Sequence, residues 1–269
     1  MFISLLSVDM GTTAVNNYQD FKRARKKEGY NYEVHNAVVS YNLSEKTVIR
    51  VIISLFAAAV ISGLLLFLNT DIVVIIIGAL SFLIGILYTS GPVPISRTPS
   101  GEIFSGFFMG FFITFLAVYI HNLELIEVGL SAGDLILRFA YLDIIKIFIF
   151  AIPLILGISN IMLANNICDI EDDIENDRYT LPIYIGRDNS LQLFKYLYYI
   201  CYLAIIVAVI FDILPLISLL SLITFPFVQK NIREFFQKQS KKSTFVLSVE
   251  NFAVINYSLA VTLLIALLF

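Results

Sequence analysis

The chain has 269 residues, 58% of them hydrophobic and 14% charged; a soluble domain runs at roughly 45–50% and about 25%, so an ordinary water-soluble globule is excluded. A net charge of −3 gives no basic field, and nucleic acid is not expected as a partner. The two cysteines, Cys168 and Cys201, lie far apart and supply neither a disulfide framework nor a metal-ligand spacing.

The hydrophobic excess is gathered into runs long enough to cross a hydrocarbon core of about 30 Å as helices. Inside lipid the backbone must satisfy its own polar groups, and the short alternating segments of a barrel are missing. The expected fold is therefore all-α: a polytopic membrane helical bundle, with residues 1–269 forming one transmembrane domain. Eight apolar segments are predicted, in chain order Phe2–Asn17, Thr47–Leu68, Ile72–Thr89, Ile103–His121, Leu142–Asn166, Leu191–Phe211, Ile213–Val228 and Val249–Leu268. The first residues lack the basic region and small-residue cleavage site of a secretory leader. Asn69–Asp71 and Asp212–Ile213 read as tight returns. Phe21–Lys46, Ser90–Glu102 and Ile167–Ser190 are long polar connections, Gln229–Ser248 is basic, and Asn122–Tyr141 is acidic and apolar.

If the eight segments alternate, one side of the membrane receives every Lys and Arg of the 18 except Arg138 and Lys146. The positive-inside rule makes that basic side cytoplasmic and the chain a multi-pass protein of the cell membrane. Asn16-Asn17-Tyr18-Gln19-Asp20-Phe21 reappears as Asn165-Asn166-Ile167-Cys168-Asp169-Ile170. Each copy ends an apolar span on the basic side, and this common placement points to two pseudo-repeated halves facing one another.

The second copy runs on into acid. Asn165, Asp169, Asp173 and Asp177 recur every four residues and would lie along one helix face. Carboxylates four apart repel, and a hard divalent cation with oxygen ligands relieves the repulsion. Mg²⁺ suits such a face, since it is usually held by one or two carboxylates together with substrate phosphates and water. Asn16 and Asp20 repeat the spacing, so two opposed faces could hold Mg²⁺ and a diphosphate between them. The alternative is a solvated acidic helix end; the repetition, the Asn-Asn lead-in and the emergence from a span weigh against it. Between spans, Tyr88-Thr89-Ser90-Gly91-Pro92-Val93-Pro94-Ile95-Ser96-Arg97-Thr98-Pro99 forms a proline-braced turn. Its Arg97 could reach phosphate oxygens, or could simply snorkel at the membrane surface. The 23 Phe and 14 Tyr could shield an allylic cation, although packing and lipid contact account for most of them. His35 and His121 stand alone.

These motifs resemble the UbiA superfamily of intramembrane aromatic prenyltransferases. Asn16–Asp20 matches its first Asp-rich motif and Asn165–Asp173 its second. The Tyr88–Thr98 loop and Thr180-Leu181-Pro182 are similar to the branch that acts on 1,4-dihydroxy-2-naphthoate in menaquinone biosynthesis. The resemblance implies nine membrane helices around a central cavity open to lipid, with Mg²⁺ as cofactor. The substrates would be a polyprenyl diphosphate and an aromatic acceptor. Asn16, Asp20, Asn165, Asp169 and Asp173 would take the metal and diphosphate roles. Arg97 and Tyr88 would sit in the loop that holds the diphosphate or starts acceptor attack. Two departures stand out. Asn17 occupies a position where Asp is common and Ala24 lies four after Asp20, so the first motif has one carboxylate. Met1 lies fifteen residues ahead of Asn16, so eight spans rather than nine are expected, the family's first helix being the missing one. The rival expectations are an acceptor such as 4-hydroxybenzoate, a transporter built from repeated halves, and a non-catalytic relative.

Overall fold

The structure, a computed structural model, describes residues 1–24, 33–34, 36–89, 91–131 and 133–268. Arg25, Lys26 and Lys27 of the basic connection, His35 and the loop residue Ser90 lie outside these. The chain forms two compact units. The first comprises Met1–Thr98, Tyr119–Arg138 and Ile174–Arg178; the second comprises Pro99–Val118, Phe139–Asp173 and Tyr179–Phe269.

In the first unit, α1 (Phe2–Arg23) packs on α3 (Glu45–Phe67) and α4 (Ile72–Thr89), with the short α2 (Ala37–Ser40) against α1. The helix starts are written locally. Ser44 caps α3 by accepting from Thr47 N at 3.2 Å, with Glu45 in the first turn, where the helix dipole favours an acid. Asp71 accepts from Val73 N at 2.9 Å where α4 begins. Gly11 lets α1 close on α3, since a Cβ there would meet the Phe56 ring at 3.0 Å. On α3 and α4 the outward residues are apolar and bare, Ile53 at 62% and Ile61 at 60% exposure among them. Such surface calls for lipid rather than water.

Among the described residues, this unit carries the departure from an all-α chain. The stretch Asn122–Tyr141, expected to be only a connection, holds a two-stranded hairpin, β1 (Ile126–Ser131) and β2 (Asp134–Phe139). Its residues are rich in strand formers, Gly133 takes φ 93° in the turn, and Glu127 pairs across the strands with Arg138 at 3.3 Å. The Tyr119 hydroxyl lies 2.5 Å from Asp71 Oδ2 and 3.0 Å from the Ile126 carbonyl, tying the hairpin's root to the start of α4.

The second unit opens with a continuous helix whose parts are α5 (Gly101–Ser105), a π-helical stretch (Gly106–Phe112) and α6 (Ile113–Tyr119). It lies against α7 (Tyr141–Cys168), which carries Pro153 inside it. Next come α8 (Ile170–Glu175), α9 (Leu181–Ile185) and α10 (Arg187–Ile210). A 3₁₀ stretch (Leu216–Thr224) leads into α11 (Phe225–Gln237), and α12 (Val246–Ala266) ends the bundle. The core runs through α7, α10, α11 and α12 by way of Leu163, Ile167, Phe194, Tyr198, Ile205, Ile232, Phe235 and Ile255. Buried polar contacts fasten the helices. Asn160 donates to the Phe194 carbonyl at 3.0 Å, and Asn231 donates to Asn251 Oδ1 at 2.9 Å, the kind of interhelical bond that lipid does not compete for.

Each of the eight expected segments is helical at least in part. Among the described residues, six helices are long and apolar enough to span: Glu45–Phe67, Ile72–Thr89, Gly101–Tyr119, Tyr141–Cys168, Arg187–Ile210 and Val246–Ala266. Phe2–Asn17 belongs to a longer helix that includes Asp9, Asp20 and Lys22. Ile213–Val228 is divided where the 3₁₀ stretch becomes α11.

Candidate functional site

The second Asp-rich motif forms where α7 runs out. Asp169 caps α7, accepting the chain into α8 with little change of direction, since its N–H still bonds to the Asn165 carbonyl at 3.2 Å and the Asp173 N–H bonds to the Asp169 carbonyl at 2.7 Å. The four-residue spacing therefore does place Asn165, Asp169 and Asp173 on one face. Asp177 leaves that face: α8 ends at Glu175, and Asp177 turns into the left-handed region at φ 53°, so its place in the predicted row is corrected. Burial sorts the acids. Asp169 and Asp173 are 9% and 3% exposed, whereas Glu171 faces outward and pairs with Arg187 at 2.5 Å.

Each buried carboxylate has a named companion. Thr180, fully buried at the N-cap of α9, donates to Asp173 Oδ2 at 3.2 Å. The Thr180-Leu181-Pro182 sequence thus has a mechanical role, since Pro182 starts α9 just after the threonine has turned to the carboxylate. Lys241 donates to Asp169 Oδ2 at 2.5 Å and also to Asn165 Oδ1. Asn165 reaches Asp169 Oδ2 at 3.4 Å. Next to the face, Asn166 donates to Glu102 Oε1 at 2.9 Å, and Ser159 donates to the Glu102 carbonyl at 2.9 Å. Glu102 is 4% exposed, and its Oε2 is buried without a hydrogen-bond partner among the described residues.

The first motif sits near the end of α1, where regular helix puts Asn16 and Asp20 on one face. Asp20 Oδ1 stands 3.8 Å from Arg97 and 4.0 Å from Arg178, so a half-exposed acid faces two guanidinium groups. Arg97 is held by the proline-braced turn. Gly91 takes φ 115°, Ile95–Arg97 is a 3₁₀ turn after Pro94, and Thr98 Oγ1 closes back on the Ile95 carbonyl at 2.8 Å. Tyr88 is half-buried at the end of α4 beside this turn. Asn17 is occupied elsewhere. Its Oδ1 accepts from Ala37 N at 2.9 Å and its carbonyl accepts from Asn36 at 2.8 Å.

Sequence reasoning singled out all of these motif residues except Lys241, Arg178 and Glu102. Lys241 and Arg178 were read only as part of the basic side, and Glu102 only as the end of a connection. Their partners lie far along the chain, and no local spacing marks them. Cys168 and Cys201 are free thiols. A cavity of about 670 Å³ opens along α11, lined by Phe225, Lys230 and Arg233 among others, and no motif residue reaches it.

The donor chemistry is that of a hard cation. The face offers amide and carboxylate oxygens, and it already draws an ammonium group in Lys241. Among the described residues no three His, Cys, Asp or Glu side chains are grouped closely enough to cage a metal unaided.

A profile of the UbiA prenyltransferase family matches residues 1–267. The chain belongs to that family. It is 28% identical over 193 residues to the 1,4-dihydroxy-2-naphthoate octaprenyltransferase of Bacillus subtilis (strain 168), a match that covers 72% of this chain and 56% of that protein; the likeness thus spans little more than half of the relative's length. Among solved structures, a UbiA homologue from Aeropyrum pernix K1 superposes with a TM-score of 0.70 at 16% identity, covering 97% of this chain and 87% of that one. A digeranylgeranylglyceryl phosphate synthase structure gives 0.58 at 15% identity, covering 98% and 83%. At these identities both show a shared UbiA fold.

Proposed function

We propose that this UbiA-family chain is a membrane aromatic prenyltransferase. It would move a polyprenyl group from polyprenyl diphosphate to an aromatic acceptor, 1,4-dihydroxy-2-naphthoate, and release pyrophosphate and a menaquinone precursor. The observation that carries this reading is the buried oxygen face Asn165, Asp169 and Asp173 at the end of a spanning helix. Ionisable groups buried in that setting are costly and are kept for handling ions or substrate. The Bacillus subtilis relative supports the choice of acceptor.

Asn16, Asp20, Asn165, Asp169 and Asp173 would hold Mg²⁺ and, through it, the diphosphate. When bound, Mg²⁺ would neutralise charge growing on the departing pyrophosphate. Arg97 adds a fixed positive charge suited to phosphate oxygens, and the 3₁₀ turn keeps it aimed without cost at the moment of reaction. Tyr88 borders the same turn. The allylic C–O bond breaks with its electron pair going to pyrophosphate. An electron-rich ring carbon supplies the pair of the new C–C bond. The ring then regains aromaticity by losing a proton, or CO₂ where the attacked carbon carries the carboxylate. Lipid-facing helices suit a donor whose tail is insoluble in water, and the lopsided Lys and Arg distribution supports a reading in which the motifs face the cytoplasm from the cell membrane.

The test is mass spectrometry of products formed by membranes carrying the chain. They receive one polyprenyl diphosphate with equal 1,4-dihydroxy-2-naphthoate and 4-hydroxybenzoate. A prenylated naphthalenediol should predominate, and EDTA should stop its formation until Mg²⁺ is restored. Mainly prenylated hydroxybenzoate would overturn the acceptor, and no prenylated product from a folded chain would overturn the activity.

A further inference from the structure

Building on the prenyl-diphosphate reading, the geometry points to Lys241 as a diphosphate-binding residue that, in the substrate-free protein, holds the cation's place on Asn165 and Asp169. Lys241 lies in the connection between α11 and α12. Of the three lysines there, Lys238 and Lys242 are exposed, and Lys241 alone turns inward. Its ammonium bonds to Asp169 Oδ2 at 2.5 Å and to Asn165 Oδ1, with side-chain exposures of 13% for the lysine and 11% for the acid. It also stands 5.5 Å from the centre of the Phe245 ring.

The aim of this lysine is built by the backbone around it. Buried Thr244 accepts from Ser240 N at 2.9 Å and donates to the Lys238 carbonyl at 2.8 Å. Phe245 N closes on the Ser240 carbonyl at 3.0 Å, and Gln239 donates to the Phe235 carbonyl at 2.7 Å. A turn fastened at four points holds its single inward lysine over the face that would ligate a metal.

A divalent ion and the Lys241 ammonium repel one another at contact distance. An ion that engages Asp169 therefore competes with Lys241 for that carboxylate, and a diphosphate arriving with the ion offers the ammonium a new anion. Lysine suits the exchange because its charge rides on a flexible four-carbon stem with three rotatable donors. The consequence is an order of loading. The ion alone competes with Lys241, whereas the ion paired with diphosphate gives the lysine somewhere to go. By linkage, each ligand then raises the affinity for the other.

The experiment uses the full chain purified in lipid nanodiscs. Free Mn²⁺ is followed by electron paramagnetic resonance without substrate, and inorganic pyrophosphate binding is followed by calorimetry at saturating Mn²⁺. Lys241→Gln should bind Mn²⁺ alone about tenfold more tightly than wild type, the scale of one charge-assisted contact, and pyrophosphate about tenfold more weakly. Lys241→Arg, whose planar fork grips a carboxylate more firmly, should bind Mn²⁺ alone more weakly than wild type; it keeps the test decisive should the glutamine variant not fold. Lys242→Gln should match wild type in both titrations. Mn²⁺ affinity unmoved by either Lys241 variant, or a parallel loss of both ligands in Lys241→Gln, overturns the place-holding role; tighter Mn²⁺ with unchanged pyrophosphate overturns the handover. A wild type that binds neither ligand would instead bring down the functional reading beneath it.

Discussion

At the scale of single residues, burial divides the acids of the second motif more sharply than their spelling does. Asp169 and Asp173 lie inward with Lys241 and Thr180, while Asp172 is half-buried and Glu171 turns out to Arg187. Asp169→Ala and Asp173→Ala should each lower kcat by at least about 100-fold, the scale of losing a preorganised charge-stabilising group. Asp172→Ala should cost far less. Equal losses in all three, measured as initial rates of prenyl transfer, would remove the distinction between faces. Arg97 belongs to the same scale. Arg97→Ala should raise KM for the prenyl diphosphate and lower kcat, because phosphate charge grows as the bond breaks, and Arg97→Lys should recover only part of the loss. Steady-state kinetics indistinguishable from wild type would reduce the loop to a membrane-surface turn. Asp169 and Asp173 could be read from sequence because helical spacing is local. Lys241 could not: 72 residues separate it from Asp169, and only the packed bundle brings them together.

At the scale of elements, the repeat has a structural counterpart. In the first motif Asn17 bonds to Ala37 N, where α2 begins; in the second, Asn166 bonds to Glu102 in the first turn of α5. Each copy thus spends its second asparagine fastening the motif helix to the start of another helix of its own unit. Asn17, a departure from the family pattern that the resemblance brings out, is therefore engaged in capping. A second feature went unread because it depends on close approach: Gly106 and Gly110, spaced four apart in the π-helical stretch, lie against α7. A Cβ on Gly110 would stand 2.6 Å from Ile155 Cα and N, backbone atoms that no rotamer change can move. Small residues at this spacing let membrane helices approach closely. Gly110→Ala should lower stability by about 1–3 kcal/mol, the cost of overpacking, whereas Gly78→Ala in α4, with nothing within 4 Å of the added carbon, should leave the melting temperature in detergent unchanged or slightly higher. Equal shifts in the two variants would show that the Gly110 contact does not bear on stability.

At the scale of the whole molecule, the apolar runs were legible because lipid demands them: a helix facing hydrocarbon has to be greasy along its length, and α3 and α4 are. The hairpin at Ile126–Phe139 was not, because six-residue strands leave no long hydrophobic signature, and the stretch read only as a mixed connection. Charge is the remaining signal at this scale, and it makes a prediction about sidedness. With Arg138 and Lys146 as the only basic residues on the hairpin's side, the positive-inside rule sends the hairpin outward and the connection before α3 inward. Two exposed positions of the first unit test it, Tyr41 in that connection and Asp134 in the hairpin. Each is changed to cysteine in a Cys168→Ser, Cys201→Ser background and treated with a membrane-impermeant maleimide. In intact cells Asp134→Cys should label and Tyr41→Cys should not; in inverted vesicles the pattern should reverse. The opposite pattern would place the motifs on the outer face and overturn the orientation. Labelling of both positions from one side would mean that an odd number of spans does not separate them, and the alternation from which the orientation was read would fail with it.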